Sequence, residues 1–188
     1  MNMIFNIIKP MAFKLLIVIL ITSYNCLADN EIPTFSIITD ASPGVSVLHG
    51  LTKLTDALQA KRITFEKIRS IKEARGAIII VAGLSSGAND AAKILKEGNR
   101  SLPETSEALT IWKTNYQNKS VWVISGFDDS GLMYGLQDVA IQISWSINPE
   151  NPMSEVKEIT EKPDVSERAI SLYTMNRAYL RSGQIFSR

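Results

Sequence analysis

The sequence predicts an α/β (α+β) sandwich: a mixed, largely antiparallel sheet with its two main helices on one face. Three observations carry this expectation. Residues 77–82 are continuously apolar and mostly β-branched, which suits a central strand covered on both sides. Two stretches place apolar residues at helical spacing: Val47, Leu48, Leu51, Leu54 and Leu58, then Leu132, Met133, Leu136, Val139, Ala140 and Ile143. Residues 107–113 and 120–124 read as strands joined by a polar segment short enough for a hairpin. The 188 residues carry a formal net charge of +1, with 45% hydrophobic and 21% charged side chains. That composition fits one folded domain of about 100–150 residues. The near-neutral charge gives no basis for a nucleic-acid surface.

The amino terminus has the pattern of an export signal. Lys9 and Lys14 flank the apolar run at 15–21, which falls short of the ~20 residues of a membrane span. Cys26-Leu27-Ala28 before Asp29 suits cleavage after Ala28, with Met11 as an alternative start. Residues 1–28 are therefore expected to be a signal peptide and the chain to be periplasmic or extracellular. The alternative is an uncleaved anchor helix. Cys26 is the single cysteine, so a chain cleaved there has no thiol or disulfide chemistry.

Residues 34–39 alternate as a strand. Ser42 as cap with Pro43 in the first turn predicts a helix to about Ala60. A short strand is expected at 63–65. A glycine-rich loop at 83–87 leads to a short helix at 90–96, stopped by Gly98. The strand at 121–124 then runs into Gly126, and Asp128, Asp129 and Ser130 are placed to cap the long helix that follows. Asn148, Pro149 and Pro152 punctuate the chain, and residues 148–166 read as a linker with one strand around 156–159.

The segment from Gly126 to Gln142 resembles the strand-turn-helix in the N-terminal α/β domain of β-N-acetylhexosaminidases, α-glucuronidases and related glycoside hydrolases. The resemblance lies in an apolar strand, a Gly-Asp turn, then Gly131-Leu132-Met133-Tyr134-Gly135-Leu136 and an apolar helix reaching Gln142. A second point is Pro163 followed five residues later by Arg168-Ala169 and an apolar strand, which is similar to the opening of the catalytic (β/α)8 barrel in those enzymes. The resemblance implies a hexosaminidase-like N-terminal domain at 29–147, with its helices between sheet and barrel, and the start of a truncated barrel at 167–188. It implies no catalytic residue here, because the acid/base carboxylates lie well inside the barrel. Asn176 and Arg177 are the candidate substrate-binding residues, just past the first barrel strand. The offset of Arg177 from Arg168 differs by one residue from the family's sugar-holding arginine, and Tyr173-Thr174-Met175 departs from the usual aspartate-containing strand. The expected function is support of a secreted glycoside hydrolase barrel. The alternative is a free-standing carbohydrate-binding or protein-interaction module. Expected partners are the barrel of the same protein or a homologue, a glycan, and a second copy of the chain through self-association.

Other constellations have bland explanations. Gly83-Leu84-Ser85-Ser86-Gly87 matches Gly-x-Ser-x-Gly, yet the nucleophile elbow needs a histidine later in the chain. His49, the sole histidine, precedes Ser85 and lies on a polar helix face. Asp128 and Asp129 are adjacent, which does not suit the ~5–9 Å separation across a glycosidic bond. Trp112, Trp122 and Trp145 read as packing residues. With one histidine and no cysteine cluster, no metal site or cofactor is expected.

Overall fold

A computed structural model describes residues 32–165 apart from Ala41 and Glu150. The expected signal at 1–28, the barrel-opening strand at 169–173, and both Asn176 and Arg177 lie outside the described residues. Within them the elements are β1 (Phe35–Ile38), α1 (Val45–Ala60), β2 (Phe65–Ile68), β3 (Ile78–Leu84), α2 (Asp90–Glu97), β4 (Leu109–Tyr116), β5 (Lys119–Gly126), α3 (Asp129–Trp145) and β6 (Ile159–Glu161). Short 3-10 turns occupy Ile71–Glu73 and Pro152–Glu155.

One mixed sheet has the order β2-β1-β3-β5-β4-β6. Phe35, Ile37, Ile80, Ala82, Trp122 and Ile124 face α1 and α3, whose Leu51, Leu54, Leu58, Leu132, Leu136, Val139 and Ile143 complete that core. Ile38, Ile79, Val81, Val121 and Val123 point to the other face, against Ala91, Ile94 and Leu95 of α2. The α/β sandwich with its two main helices on one face is therefore the observed architecture. The emphasis on antiparallel pairing is corrected: β2, β1, β3 and β5 run parallel, and only the β4 ladders to β5 and β6 are antiparallel. The reason lies in the connections. Alternation identifies a strand but not its direction, while α1 carries the chain between the parallel β1 and β2, and α2 followed by β4 carries it between the parallel β3 and β5.

Three local boundaries also differ from expectation. α1 begins at Val45 with Gly44 as its cap. Gly44 is extended and lies against the Asp129 carboxylate, so α1 starts alongside α3. Ile63 closes α1 rather than opening a strand: its amide donates to Leu58 O at 3.0 Å and that of Arg62 to Gln59 O at 2.8 Å. Arg62 takes φ 59°, completing a Schellman closure whose flanking Ile63 and Leu58 share the core. β2 consequently starts two residues late. Residues 152–161 do not cross solvent as a linker. Met153 and Val156 are buried, Lys157 N donates to Gln142 Oε1 at 2.9 Å, and β6 pairs with β4.

The hairpin is tighter than the sequence implied. Tyr116 pairs with Lys119 across Gln117 and Asn118, both at positive φ, the conformation of a two-residue turn that matches strand twist.

Glu66 fastens β2 to the chain entering β3. Its Oε1 accepts from Ser36 Oγ at 2.6 Å and Arg75 N at 2.8 Å, and its Oε2 from Arg75 Nε at 2.9 Å. Burial pushes the Glu66 carboxyl up, but the bonds from Ser36 and Arg75 outweigh it and hold the group below its ordinary value. A depressed carboxylate contributes stability above its unfolded pKa of about 4.3, lost as pH falls through the lower folded value. Melting temperature followed from neutral to acid pH is expected to fall more steeply for the wild type than for Glu66→Gln below about pH 4. Parallel profiles would contradict the role given to these bonds.

Candidate functional site

The residues singled out for chemistry are placed apart or given structural work. Ser85 follows β3, and its amide donates to Gly126 O at 2.8 Å, tying that turn to the end of β5. His49 is exposed on α1. Asp128 is the α3 cap: it accepts from Gly131 N at 2.8 Å, Ser106 Oγ at 2.6 Å and Glu107 N at 3.1 Å. Its oxygens thus fix the loop before β4 to the first turn of α3, as capping required. Among the described residues, no group of three or more His, Cys, Asp or Glu is placed to hold a metal ion. No helix among them is long and apolar enough to cross a membrane. We expect no turnover of aryl esters above background. Turnover abolished by Ser85→Ala would overturn this assignment of the serine loop.

The helix-bearing side of the molecule is unusual. α1 and α3 run in the same direction: Gly44 abuts Asp129 at their starts, and Lys61 Nζ donates to Ser146 O at 2.7 Å at their ends. Near their first halves they meet closely, because a side chain at Gly50 would lie 3.0 Å from Leu136 Cβ. Toward the second halves Ala57, Ala60, Ala140 and Ser144 are too small to fill the seam. An open groove of about 530 Å3 remains there, lined also by Lys53, Asp56, Gln137 and Ile141.

Beside this groove α3 carries a second apolar stripe. Leu132, Leu136, Val139 and Ile143 serve the sheet. Tyr134, Ile141 and Trp145, spaced i, i+7 and i+11, share the opposite side of the helix, with Asp138 the one charged residue between them. Ile141 is 46% and Trp145 78% exposed, and Ile147 just beyond the helix is 90% exposed. Trp145, read from sequence as packing, is the last residue of α3 and projects outward. Trp122 is buried as expected, and Trp112 packs against the α2-side core. A signal for the stripe was present: Tyr134, Ile141 and Trp145 are apolar or aromatic at positions where a one-sided helix carries polar residues.

No family model matches the chain, and no curated protein does. Solved structures with a similar fold include a GH138 enzyme targeting pectin rhamnogalacturonan II, at 16% identity and a TM-score of 0.48. That match covers 71% of this chain and 16% of the other. Another is CpGH84D, at 16% identity and a TM-score of 0.45, covering 70% of this chain and 20% of that one. This chain therefore spans a small part of the length of either protein.

Proposed function

We propose that this chain is an exported, non-catalytic N-terminal domain of a glycoside hydrolase acting in carbohydrate degradation. In this reading the outer side of the α1–α3 pair seats the catalytic barrel, supplied by the same protein or a homologue. The observation that carries the reading is the second apolar stripe of α3. A helix serving only its own sheet needs one apolar face. A further stripe of Tyr134, Ile141 and Trp145, continued by Ile147 and flanked by an open groove between α1 and α3, suits a surface that another folded body covers. The resemblance of residues 126–142 to the domain that precedes such barrels supplies the identity of that body. The signal-like segment at 1–28 supplies the location.

The test is to mix the full chain with the catalytic barrel of a hexosaminidase-type enzyme that lacks its own N-terminal domain. The chain is expected to raise the barrel's melting temperature, and Ile141→Asp with Trp145→Ser to abolish the rise. A barrel unaffected by the chain would count against the reading. The free-standing module draws on the same Trp145, which stands beside Asp138, Gln142 and Glu155 over a cleft of about 430 Å3. Gln142 there is already bonded to Asp138 and Lys157. Retention on a glycan matrix that Trp145→Ala removes, with no effect on the barrel, would favour the module.

A further inference from the structure

A second cleft, of about 460 Å3, lies at the carboxyl ends of β3 and β5, away from the groove between α1 and α3. Open α/β sheets place ligands at this edge of their parallel strands. Its first wall is rigid. Ser85 N donates to Gly126 O at 2.8 Å and Phe127 N to Ala108 O at 2.9 Å, so both strand ends are tied to their neighbours. Phe127 nevertheless leaves its side chain 40% exposed over the cleft, facing the loop that carries Ser85 and Ser86.

The second wall is the end of α2, where Lys96 and Arg100 line the cleft. Arg100 is held from several sides. Its amide donates to Leu95 O at 2.9 Å while Asn99 takes φ 51°, the Schellman closure again. Gly98 lies so close to the Trp112 ring that no side chain fits between them. The Arg100 guanidinium sits over that ring at 5.9 Å, and its Nη2 donates to Thr160 Oγ1 at 2.9 Å. Its Nε is buried and has no hydrogen-bond partner. A guanidinium held in this way keeps its positive charge in a fixed position beside the cleft.

We propose that this cleft binds an anionic sugar. Lys96 and Arg100 outnumber the single carboxylate in the lining, Glu104, and so favour a negatively charged ligand. Phe127 offers a flat apolar surface for a pyranose face, and the Ser85 and Ser86 hydroxyls suit its hydroxyl groups. A sugar carboxylate and a sugar phosphate meet the same requirement. The site is independent of whether α1 and α3 seat a barrel.

The experiment titrates the full, isotope-labelled chain with D-glucuronate, glucose 6-phosphate, D-glucose, acetate and inorganic phosphate, following backbone amides by NMR. Saturable shifts at Ser85, Ser86 and Phe127 are expected with one or both anionic sugars at millimolar concentration, and the two arms tell which anion is taken. Lys96→Gln and Phe127→Ala, both surface changes, are each expected to weaken binding about tenfold. Ile141→Asp should leave it unchanged. Glucose binding as well as the anionic sugars would overturn the role of the cations. Acetate or phosphate binding as well as the sugars would overturn the role of Phe127. No saturable shift, or shifts unaltered by both variants, would overturn the site.

Discussion

Gly131→Ala is expected to remove a large share of this chain's stability. In an ordinary helix the change would stabilise by about 1 kcal/mol, because alanine is the better helix former. Here the new methyl would strike Ala108 O and approach the Glu107 carbonyl carbon to 3.0 Å. Neither side can retreat. Ala108 O accepts from Phe127 N, and Asp128 grips both Glu107 N and Gly131 N. Overpacking costs roughly 1–3 kcal/mol, and against locked backbone the upper end applies, a large share of the ~5–15 kcal/mol that holds such a domain together. Urea midpoints measure the effect. Gly135→Ala is the control, since its methyl would meet side chains and no backbone, Ile124 Cγ2 at 3.0 Å and Leu109 Cβ at 3.9 Å. A Gly131→Ala midpoint equal to or above the wild type would mean that α3 does not dock on the loop before β4 as described.

The second large effect concerns association. Without a barrel, the stripe of Tyr134, Ile141, Trp145 and Ile147 is open to water. Covering a tryptophan alone removes ~150–250 Å2 from water, or about 4–6 kcal/mol at 25 cal/mol per Å2 before the costs of association. In a two-fold pair each copy contributes its stripe, so the gain counts twice. The full chain is expected to form a reversible, concentration-dependent dimer or larger species, and Ile141→Asp with Trp145→Ser to return it to a monomer. Light scattering at matched concentrations reads both. A wild-type chain that stays monomeric at the highest soluble concentration would show that the stripe tolerates water and needs no cover.

Much of this architecture was legible in the sequence because it depends on burial. Strands β1, β3 and β5 and helix α3 each present an apolar pattern that only one element type can bury, and Asp128 announced the start of α3. Direction was less legible. The 107–124 hairpin is local and visible, whereas the pairing of β1 with β2 and β3 depends on crossovers distant in sequence, which alternation does not encode. Ile63 and the segment from Pro152 were misread for a related reason. Ile63 is a β-branched residue just past a helix, and the segment from Pro152 is rich in charged residues, while the partner of each, Leu58 or the β4 edge, is fixed by tertiary packing. Ile141 could be assigned outward from helical phase alone. Trp145 could not: a tryptophan near a helix end is as consistent with a core plug as with a contact surface, and only its exposure separates the two. Ser85 was resolved by a missing partner, because a nucleophile needs a base and the chain has no histidine after it.

The central claim is that the outer side of the α1–α3 pair is a covered interface in the working protein. Carbene footprinting tests it most directly, comparing the full chain alone with the chain mixed with a catalytic barrel. Labelling of Tyr134, Ile141, Trp145 and Ile147 is expected to drop severalfold in the mixture, while Lys93, on α2 across the sheet, and Lys67, on the edge strand β2, stay labelled. Unchanged labelling of the stripe in a mixture that does form a complex, with protection appearing on the α2 face or the β2 edge instead, would contradict the account.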